Sequence, residues 1–447
     1  MASKSKRART VKQRNLAKDF MYWAIAVFII KLIIIGNVQG GAWLGADGEN
    51  YLKGYDALIR NGIFSKESIL NYWPAGYPLF ILLLSIIGKS FVLTTLSVVQ
   101  SAIYSFAAYF FAAQLAKTRL KKFSYLSFFM ILFNPTLSLS SIAVGYESLA
   151  AAGYLIAAGL IIKDFVQKDD KKLLIYLAIS SGIFGFMSFI QPRLIVSGIL
   201  INLLWIIIRK PWKSASLLIA TSLAIILFFP ATLIYRNHVA TGQNSISTNL
   251  GVTMNIGAGD NAKGGYNTKD TGVKCEQYGT ASQQDNQLVR CVIRWYLSNP
   301  TKSVKLFYNK SIYFWSPWFG PEANGTMARN PWLKISPIKE IATSSPDGQK
   351  LVYGAFGKFI SWLWLLGGLV LFIYGFLILW RMKSLERVIG AIAGITVMSS
   401  WLITLISIGD HRFRLPIMGM SLFLQAVGIR TLFKGGKPPM VDGPALR

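Results

Sequence analysis

The sequence predicts an all-α polytopic membrane protein, a bundle of about ten transmembrane helices. Of its 447 residues, 53% are hydrophobic and only 15% are charged, and the mean hydropathy is +0.44. Soluble globular chains carry about 25% charged residues. The apolar residues form long blocks that are separated by short basic clusters. The formal net charge of +28 therefore indicates orientation in a membrane rather than nucleic-acid binding.

Ten apolar runs are long enough to cross about 30 Å of hydrocarbon. They lie near 20–38, 91–116, 123–141, 148–165, 173–190, 194–208, 215–235, 353–380, 387–408 and 415–432. The apolar stretch 79–87 is too short to cross and follows Pro74 and Pro78. We interpret it as an interfacial segment that leads into the second span.

The basic clusters predict which side of the membrane each loop faces. They lie at 117–122, 163–172, 209–213, 381–387 and 434–437. With ten spans, all of them fall on the same side as the basic N-terminus, which precedes the first span without a small-residue cleavage site. Because basic loops stay in the cytoplasm, we expect a plasma-membrane protein with both termini cytoplasmic.

The same topology divides the chain into three parts. The N-terminal transmembrane region, 1–235, contains a first external loop at 39–90. An external loop domain, 236–352, follows, and its many aromatic residues predict an ordered fold. The remainder, 353–447, supplies the C-terminal transmembrane helices and a cytoplasmic tail.

The two cysteines, Cys275 and Cys291, both lie in the 236–352 segment. In an oxidising compartment such a pair is compatible with a disulfide, and the sequence equally allows two unpaired thiols. The chain has only two histidines, His238 and His411. A metal site built from His and Cys is therefore not expected.

Charged residues at the external ends of the spans are candidates for a functional site, because charge at membrane depth is costly. They are the carboxylates Asp47, Glu49, Glu147 and Asp410 and the cationic or titratable residues Arg193, Arg236, His238, His411, Arg412 and Arg414. Guanidinium groups suit bidentate binding of phosphate, and a carboxylate beside them can deprotonate a hydroxyl. The alternatives are a solvated Asp-Gly turn at Asp47 and interfacial snorkelling of the arginines.

Short motifs that carry these residues follow one another along most of the chain. In order they are Asp47–Tyr51, Pro74–Pro78, Asn134–Pro135, Tyr146–Ser148, Gln191–Arg193, Arg236–Asn237, Ser247–Tyr266, Tyr296–Pro300 and His411–Pro416. This ordered set resembles the GT-C class of integral-membrane glycosyltransferases, among them the bacterial relatives of protein O-mannosyltransferases and the lipid A aminoarabinose transferase. One departure is Gly48, which separates Asp47 from Glu49 where members often have adjacent acidic residues.

The resemblance implies a GT-C-like bundle whose external loops carry the active site. Such enzymes transfer a hexosyl or pentosyl group from a polyprenyl-phosphate carrier, with inversion, to a protein, polysaccharide or glycolipid acceptor on the external face. Asp47 would be the general base, and Glu49 would orient the acceptor or, with Asp47, ligate a divalent ion. The residues expected to bind the lipid phosphate and the sugar are Glu147, Arg193, His411, Arg412, Arg414 and Tyr77. No cofactor is certain and no metal ligand is assigned; a divalent metal ion is an open option.

The runner-up interpretation is a polytopic transporter or flippase for a lipid-linked saccharide. It requires polar residues along a path through the bilayer. The spans are nearly free of charge, with Lys31 as the clearest exception, and the other charges gather at one face. This asymmetry favours surface chemistry over passage, and it also leaves a scaffold without catalysis as a third interpretation.

Overall fold

The protein is a bundle of long helices. The computed structural model describes residues 16–44, 47–266, 271–315, 346, 354–382 and 385–433. The first half contains α1 (Leu16–Asn37), β1 (Trp43–Leu44), α2 (Gly48–Asn61), α3 (Ile69–Tyr72), α4 (Gly76–Leu84), α5 (Val92–Leu115), α6 (Lys121–Leu132), α7 (Pro135–Leu139), β2 (Ala143–Val144), α8 (Glu147–Gln167), α9 (Asp170–Ile190), α10 (Ile195–Arg209) and α11 (Trp212–Thr241). The second half contains α12 (Leu250–Ile256), α13 (Ala281–Ser298), α14 (Pro300–Trp315), α15 (Ala355–Arg381), α16 (Leu385–Ile406) and α17 (Met418–Phe433). Short 3-10 helices lie at Gln39–Gly41, Lys89–Phe91, Ser140–Ile142, Pro192–Leu194 and His411–Ile417.

The prediction of an all-α polytopic membrane protein is confirmed. Eight helical segments among the described residues are long and apolar enough to cross a membrane, and they become nine if one bent pair counts as a span. They are α1, α8, α9, α11 and α16, and α5, α10 and α17 each together with the 3-10 helix before it. The expected number was ten. Helix α15 lies at the remaining expected position and has 27 residues. Within it, the apolar part among the described residues is Leu365–Arg381, which is shorter than the eight spans.

The third expected span, 123–141, is not one straight helix. It consists of α6 and the segment Pro135–Ile142, which meet at an angle of 55°. Pro135 has no backbone N–H to continue the helix, and Asn134 caps the next helix through its side-chain oxygen, which accepts from the N–H of Leu137. The apolar pattern alone does not reveal this break, because the two halves together pass as one apolar run.

One segment is longer than expected, and another is as short as expected. Helix α11 continues past 235 to Thr241, so Arg236 and Asn237 lie in its last turns. The Arg236 guanidinium donates to the carbonyl of Ile63 and to the side chain of Asn71, and so ties this helix end to the first loop. The stretch 79–87 forms most of α4, whose nine residues are too short to cross a bilayer, as expected.

The described part of the 236–352 segment carries a small core of its own. Met254, Ala258, Val292, Tyr296 and Leu306 pack together between α12, α13 and α14. Cys275 and Cys291 are joined in a disulfide with a Cα–Cα distance of 6.1 Å, which answers the question that the sequence left open. Residues 267–270, 316–345 and 347–353 lie outside the described residues, so the expectation of an ordered external domain over 236–352 stays a prediction.

Candidate functional site

Two short strands align the loops that carry the first carboxylates. Strand β1 pairs in parallel with β2, with Trp43 opposite Ala143 and Leu44 opposite Val144. Asp47 follows three residues after β1, and Glu147 follows three residues after β2. The pairing therefore brings the two carboxylates into electrostatic contact, although they are 100 residues apart in sequence.

Asp47 forms an ion pair with Arg412 from the other end of the chain. Arg412 Nη2 lies 3.2 Å from Asp47 Oδ2, and the two side chains are only 13% and 16% exposed. Asp47 is the N-cap residue of α2, yet its side chain makes no capping hydrogen bond. Its carboxylate is directed at the guanidinium instead, so helix capping, the usual structural role of an Asp before a helix, does not explain this residue.

The 3-10 helix His411–Ile417 presents Arg412 to the site. It begins at Asp410, whose Oδ1 accepts from the backbone N–H of Arg412 at 2.8 Å and so fixes the first turn. Asp410 and His411 are both buried, and His411 Nδ1 lies 3.7 Å from the Asp410 carboxylate. Arg414 also interacts electrostatically with Asp410. Asp410 thus organises the three basic residues that the sequence assigned to phosphate binding.

A second guanidinium lies beside this pair. Arg193 donates a hydrogen bond to the hydroxyl of Tyr146, and its guanidinium carbon lies 3.7 Å from the centroid of the Phe413 ring. Arg193 and Arg412 both interact electrostatically with Glu147, the first residue of α8. Burial raises the pKa of Tyr146, while Arg193 opposes this rise, so the phenol stays neutral at physiological pH.

Tyr77 forms hydrogen bonds with the residues that lead into Glu147. Its fully buried hydroxyl donates to Gln100 Oε1 at 3.0 Å and accepts from the N–H of Gly145 at 2.8 Å. Burial raises the pKa of Tyr77, so the phenol remains a hydrogen-bond donor. Gln100 in turn donates to the carbonyl of Ala143. Because these bonds join Tyr77 to protein groups, its contacts position β2, and a contact with substrate stays a prediction.

The structure thus brings together most of the residues that the sequence selected. Asp47, Glu147, Arg193 and Arg412 form one cluster, which we call the external cluster, with His411 and Arg414 behind it around Asp410. Glu49 is exposed in the first turn of α2, two residues after Asp47. Sequence reasoning did not select Gln100, and it counted Asp410 among the charged residues of the external face without assigning it a role. A glutamine inside an apolar run is a signal that could have found Gln100, because an uncharged polar group in a span needs a partner.

The described residues contain no group of three or more His, Cys, Asp or Glu side chains that could hold a metal ion. The two carboxylates of the external cluster both face guanidinium groups, which is a poor donor set for a divalent cation.

Neither the protein-family models nor the curated proteins contain a match to this chain. Among solved structures, the chain is similar to the archaeal oligosaccharyltransferase AglB from Archaeoglobus fulgidus, in complex with an inhibitory peptide and a dolichol-phosphate. The TM-score is 0.45 at 12% sequence identity, and the match covers 93% of this chain and 51% of that chain. The chain therefore spans about half the length of that protein, and a likeness this weak carries no functional conclusion.

Proposed function

We propose that the protein is an inverting glycosyltransferase that moves a sugar from a polyprenyl-phosphate carrier to an acceptor hydroxyl on the external face of the membrane. One observation carries the proposal. A largely buried carboxylate, Asp47, and a largely buried guanidinium, Arg412, meet at one end of a membrane helix bundle with a second carboxylate, Glu147, and a second guanidinium, Arg193, beside them. Removing four charged groups from water at one place is costly, and a catalytic role accounts for this cost.

The chemistry that suits this cluster is a single displacement. The acceptor oxygen forms a bond with the anomeric carbon while the bond from that carbon to the phosphate oxygen breaks. The proton of the acceptor hydroxyl passes to a carboxylate, and the carrier leaves as polyprenyl phosphate. Asp47 is the proposed general base, and Glu147 is the alternative. Arg412, together with Arg193, stabilises the charge of the departing phosphate.

Arg412 has the free capacity that this role requires. Its Nε is buried and has no hydrogen-bond partner, while Nη2 faces Asp47. A phosphate oxygen that accepts from Nε would satisfy this donor without displacing Asp47. Leaving a guanidinium N–H buried and unpaired is costly, so a bound anion is the simplest way to offset this cost.

The transporter alternative depends on charge inside the spans, and the clearest case has a structural explanation. Lys31 in α1 is buried, but its Nζ donates to Ser141 Oγ at 3.0 Å and lies 4.5 Å from the centroid of the Tyr104 ring. Both partners belong to the packed interior of the bundle rather than to a continuous polar path. The contacts of Lys31 therefore favour the transferase over the transporter.

The decisive experiment is turnover by the purified full-length protein in lipid nanodiscs. Incubation with a sugar-loaded polyprenyl phosphate and candidate hydroxyl acceptors should release free polyprenyl phosphate in step with acceptor glycosylation, and mass spectrometry measures both products. In sealed proteoliposomes, movement of the intact carrier between leaflets without any released polyprenyl phosphate would instead support the transporter.

A further inference from the structure

An open crevice lies at the end of the bundle opposite the external cluster. Its volume is about 710 Å³, and it lies between the start of α1, the turn from α5 into α6, and the end of α17. Its lining includes four cationic side chains, Arg119, Lys121, Lys122 and Arg430, and the apolar side chains of Leu16 and Leu126. We call this feature the basic crevice.

The charge of the basic crevice is strongly one-sided. No carboxylate lines it among the described residues. The nearest acidic group that the structure connects to it is Asp19, whose Oδ2 accepts a hydrogen bond from the hydroxyl of Tyr125 at 2.6 Å. The crevice thus has four cationic side chains and one neighbouring carboxylate, which already accepts a hydrogen bond. Its net charge is positive, so it attracts anions.

Two of these cations lie where their own helix disfavours them. Lys121 and Lys122 are the first two residues of α6, and the N-terminus of a helix is the positive end of its dipole. The N-cap residue, Leu120, offers no side-chain acceptor to this turn. An anion at this position would interact favourably with both lysines and with the helix dipole.

Arg430 contributes a donor from the opposite wall. It lies in the last turn of α17, and its Nε is buried without a hydrogen-bond partner. The crevice thus combines an unsatisfied buried guanidinium N–H with cations on a neighbouring helix and an apolar wall. A solvated basic surface, the ordinary explanation for cations at the end of a span, does not require this buried donor or the cavity.

We infer that the basic crevice binds an anionic phospholipid, with the head-group phosphate on Arg119, Lys121 and Arg430 and an acyl chain along Leu16 and Leu126. Basic pockets between transmembrane helices are known to hold anionic head groups. The apolar wall favours a lipid over a soluble anion, because only a lipid places hydrocarbon beside its phosphate. Such a lipid would connect α1, α6 and α17, which are far apart in the sequence.

The test uses the full-length protein and measures retained lipid by native mass spectrometry after reconstitution with phosphatidylglycerol or phosphatidylcholine. We expect the wild type to retain phosphatidylglycerol preferentially. The triple variant Arg119→Gln, Lys121→Gln, Arg430→Gln should bind it about 100-fold more weakly, at about 1 kcal/mol for each cation removed. A matched control, Lys171→Gln, Lys172→Gln, Arg381→Gln, removes three exposed cations elsewhere on the chain and should bind like the wild type.

Several outcomes would overturn the inference: equal retention by the triple variant and the wild type, equal retention of phosphatidylcholine, or competition by millimolar inorganic phosphate as effective as that by the lipid. If the triple variant does not fold, Lys121→Gln and Arg430→Gln alone should each weaken retention about fivefold. None of these readouts depends on glycosyl transfer.

Discussion

At the scale of single residues, the central feature is that the proposed base is paired with the proposed phosphate ligand. Asp47 and Arg412 are separated by most of the chain and meet at 3.2 Å in a largely buried contact. In this contact Asp47 presents its carboxylate directly to the guanidinium of Arg412. Its role can be tested by replacements that preserve shape.

Asp47→Asn should reduce sugar transfer by about 10²–10⁴-fold, because the amide cannot accept the acceptor proton. Expression, membrane insertion and carrier binding should be nearly unchanged. The measurement is the rate of polyprenyl phosphate release at saturating carrier, with Glu49→Gln as the control on the exposed neighbour. Glu49→Gln should have a mild effect if Glu49 only orients the acceptor. Wild-type turnover by Asp47→Asn together with a large loss in Glu147→Gln would assign the base to Glu147.

Arg412→Lys preserves the charge beside Asp47 but removes Nε and the planar fork of donors. Charge-assisted hydrogen bonds contribute about 1.5–3 kcal/mol each, so the affinity for the carrier should fall by about 10- to 100-fold. The measurement is the dependence of the initial rate on carrier concentration. Arg294→Lys, on the exposed face of α13, is the matched control and should behave like the wild type. An unchanged concentration dependence in Arg412→Lys would contradict the phosphate-binding role.

At the scale of elements, α14 fixes the end of α16, from which the chain leads into the site. Lys310 in α14 is fully buried, and its Nζ donates to the carbonyls of Leu405 and Ser407 and to the hydroxyl of Tyr296. The last carbonyls of a helix lack intrahelical partners, so Lys310 caps the end of α16. Three residues after Ser407, Asp410 begins the turn that presents Arg412, so this cap positions the site.

Lys310→Met should destabilise the protein by roughly 2 kcal/mol or more, because it leaves buried carbonyls without donors. Lys305→Met, on the exposed face of the same helix, is the control and should have almost no effect. Thermal unfolding in detergent measures both variants. Equal stabilities of the two variants would show that the cap is dispensable.

The same lysine predicts a pH dependence of stability. Burial lowers the pKa of Lys310 to about 7, whereas an exposed lysine titrates near 10.4. Between about pH 7 and pH 10 the unfolded chain therefore binds one proton that the folded chain does not, and this contribution makes stability rise with pH. The increase should be absent from Lys310→Met. The comparison of unfolding temperatures between pH 6 and pH 10 measures it, and parallel curves for wild type and variant would contradict the prediction.

At the scale of the whole molecule, apolar block length predicted the class of fold and the position of almost every long helix. It could not predict the bend before Pro135, because a broken span and a continuous one have the same composition. It also missed β1 and β2, since a strand of two residues leaves no periodic pattern. Charge at span ends selected Asp47, Glu147, Arg193 and Arg412. Their mutual contacts could not be predicted, because they join residues that are far apart in the sequence. Glu49 has the same chemistry as Asp47 and is exposed, a difference that no local pattern encodes.

The orientation of the bundle is a prediction at this scale. Single cysteines replacing Tyr278, which is 70% exposed, and Lys171, which is exposed in the first turn of α9, probe opposite ends of the bundle. A membrane-impermeant maleimide should label Tyr278→Cys in intact cells and Lys171→Cys only after permeabilisation. The native cysteines are joined in a disulfide and should not react. The reverse labelling pattern would place the external cluster on the cytoplasmic side.

The pairing of Trp43 and Leu44 with Ala143 and Val144 makes chain length, more than side-chain identity, the sensitive quantity near the site. The backbone of each strand makes the pairing, so other small or β-branched residues at 143 and 144 can keep it. Inserting or deleting one residue between Val144 and Glu147 would instead move the second carboxylate relative to the first by up to about 3.5 Å, the extended length of one residue. Among naturally occurring variants of this protein, the loops that reach these strands should therefore tolerate substitution and resist insertion.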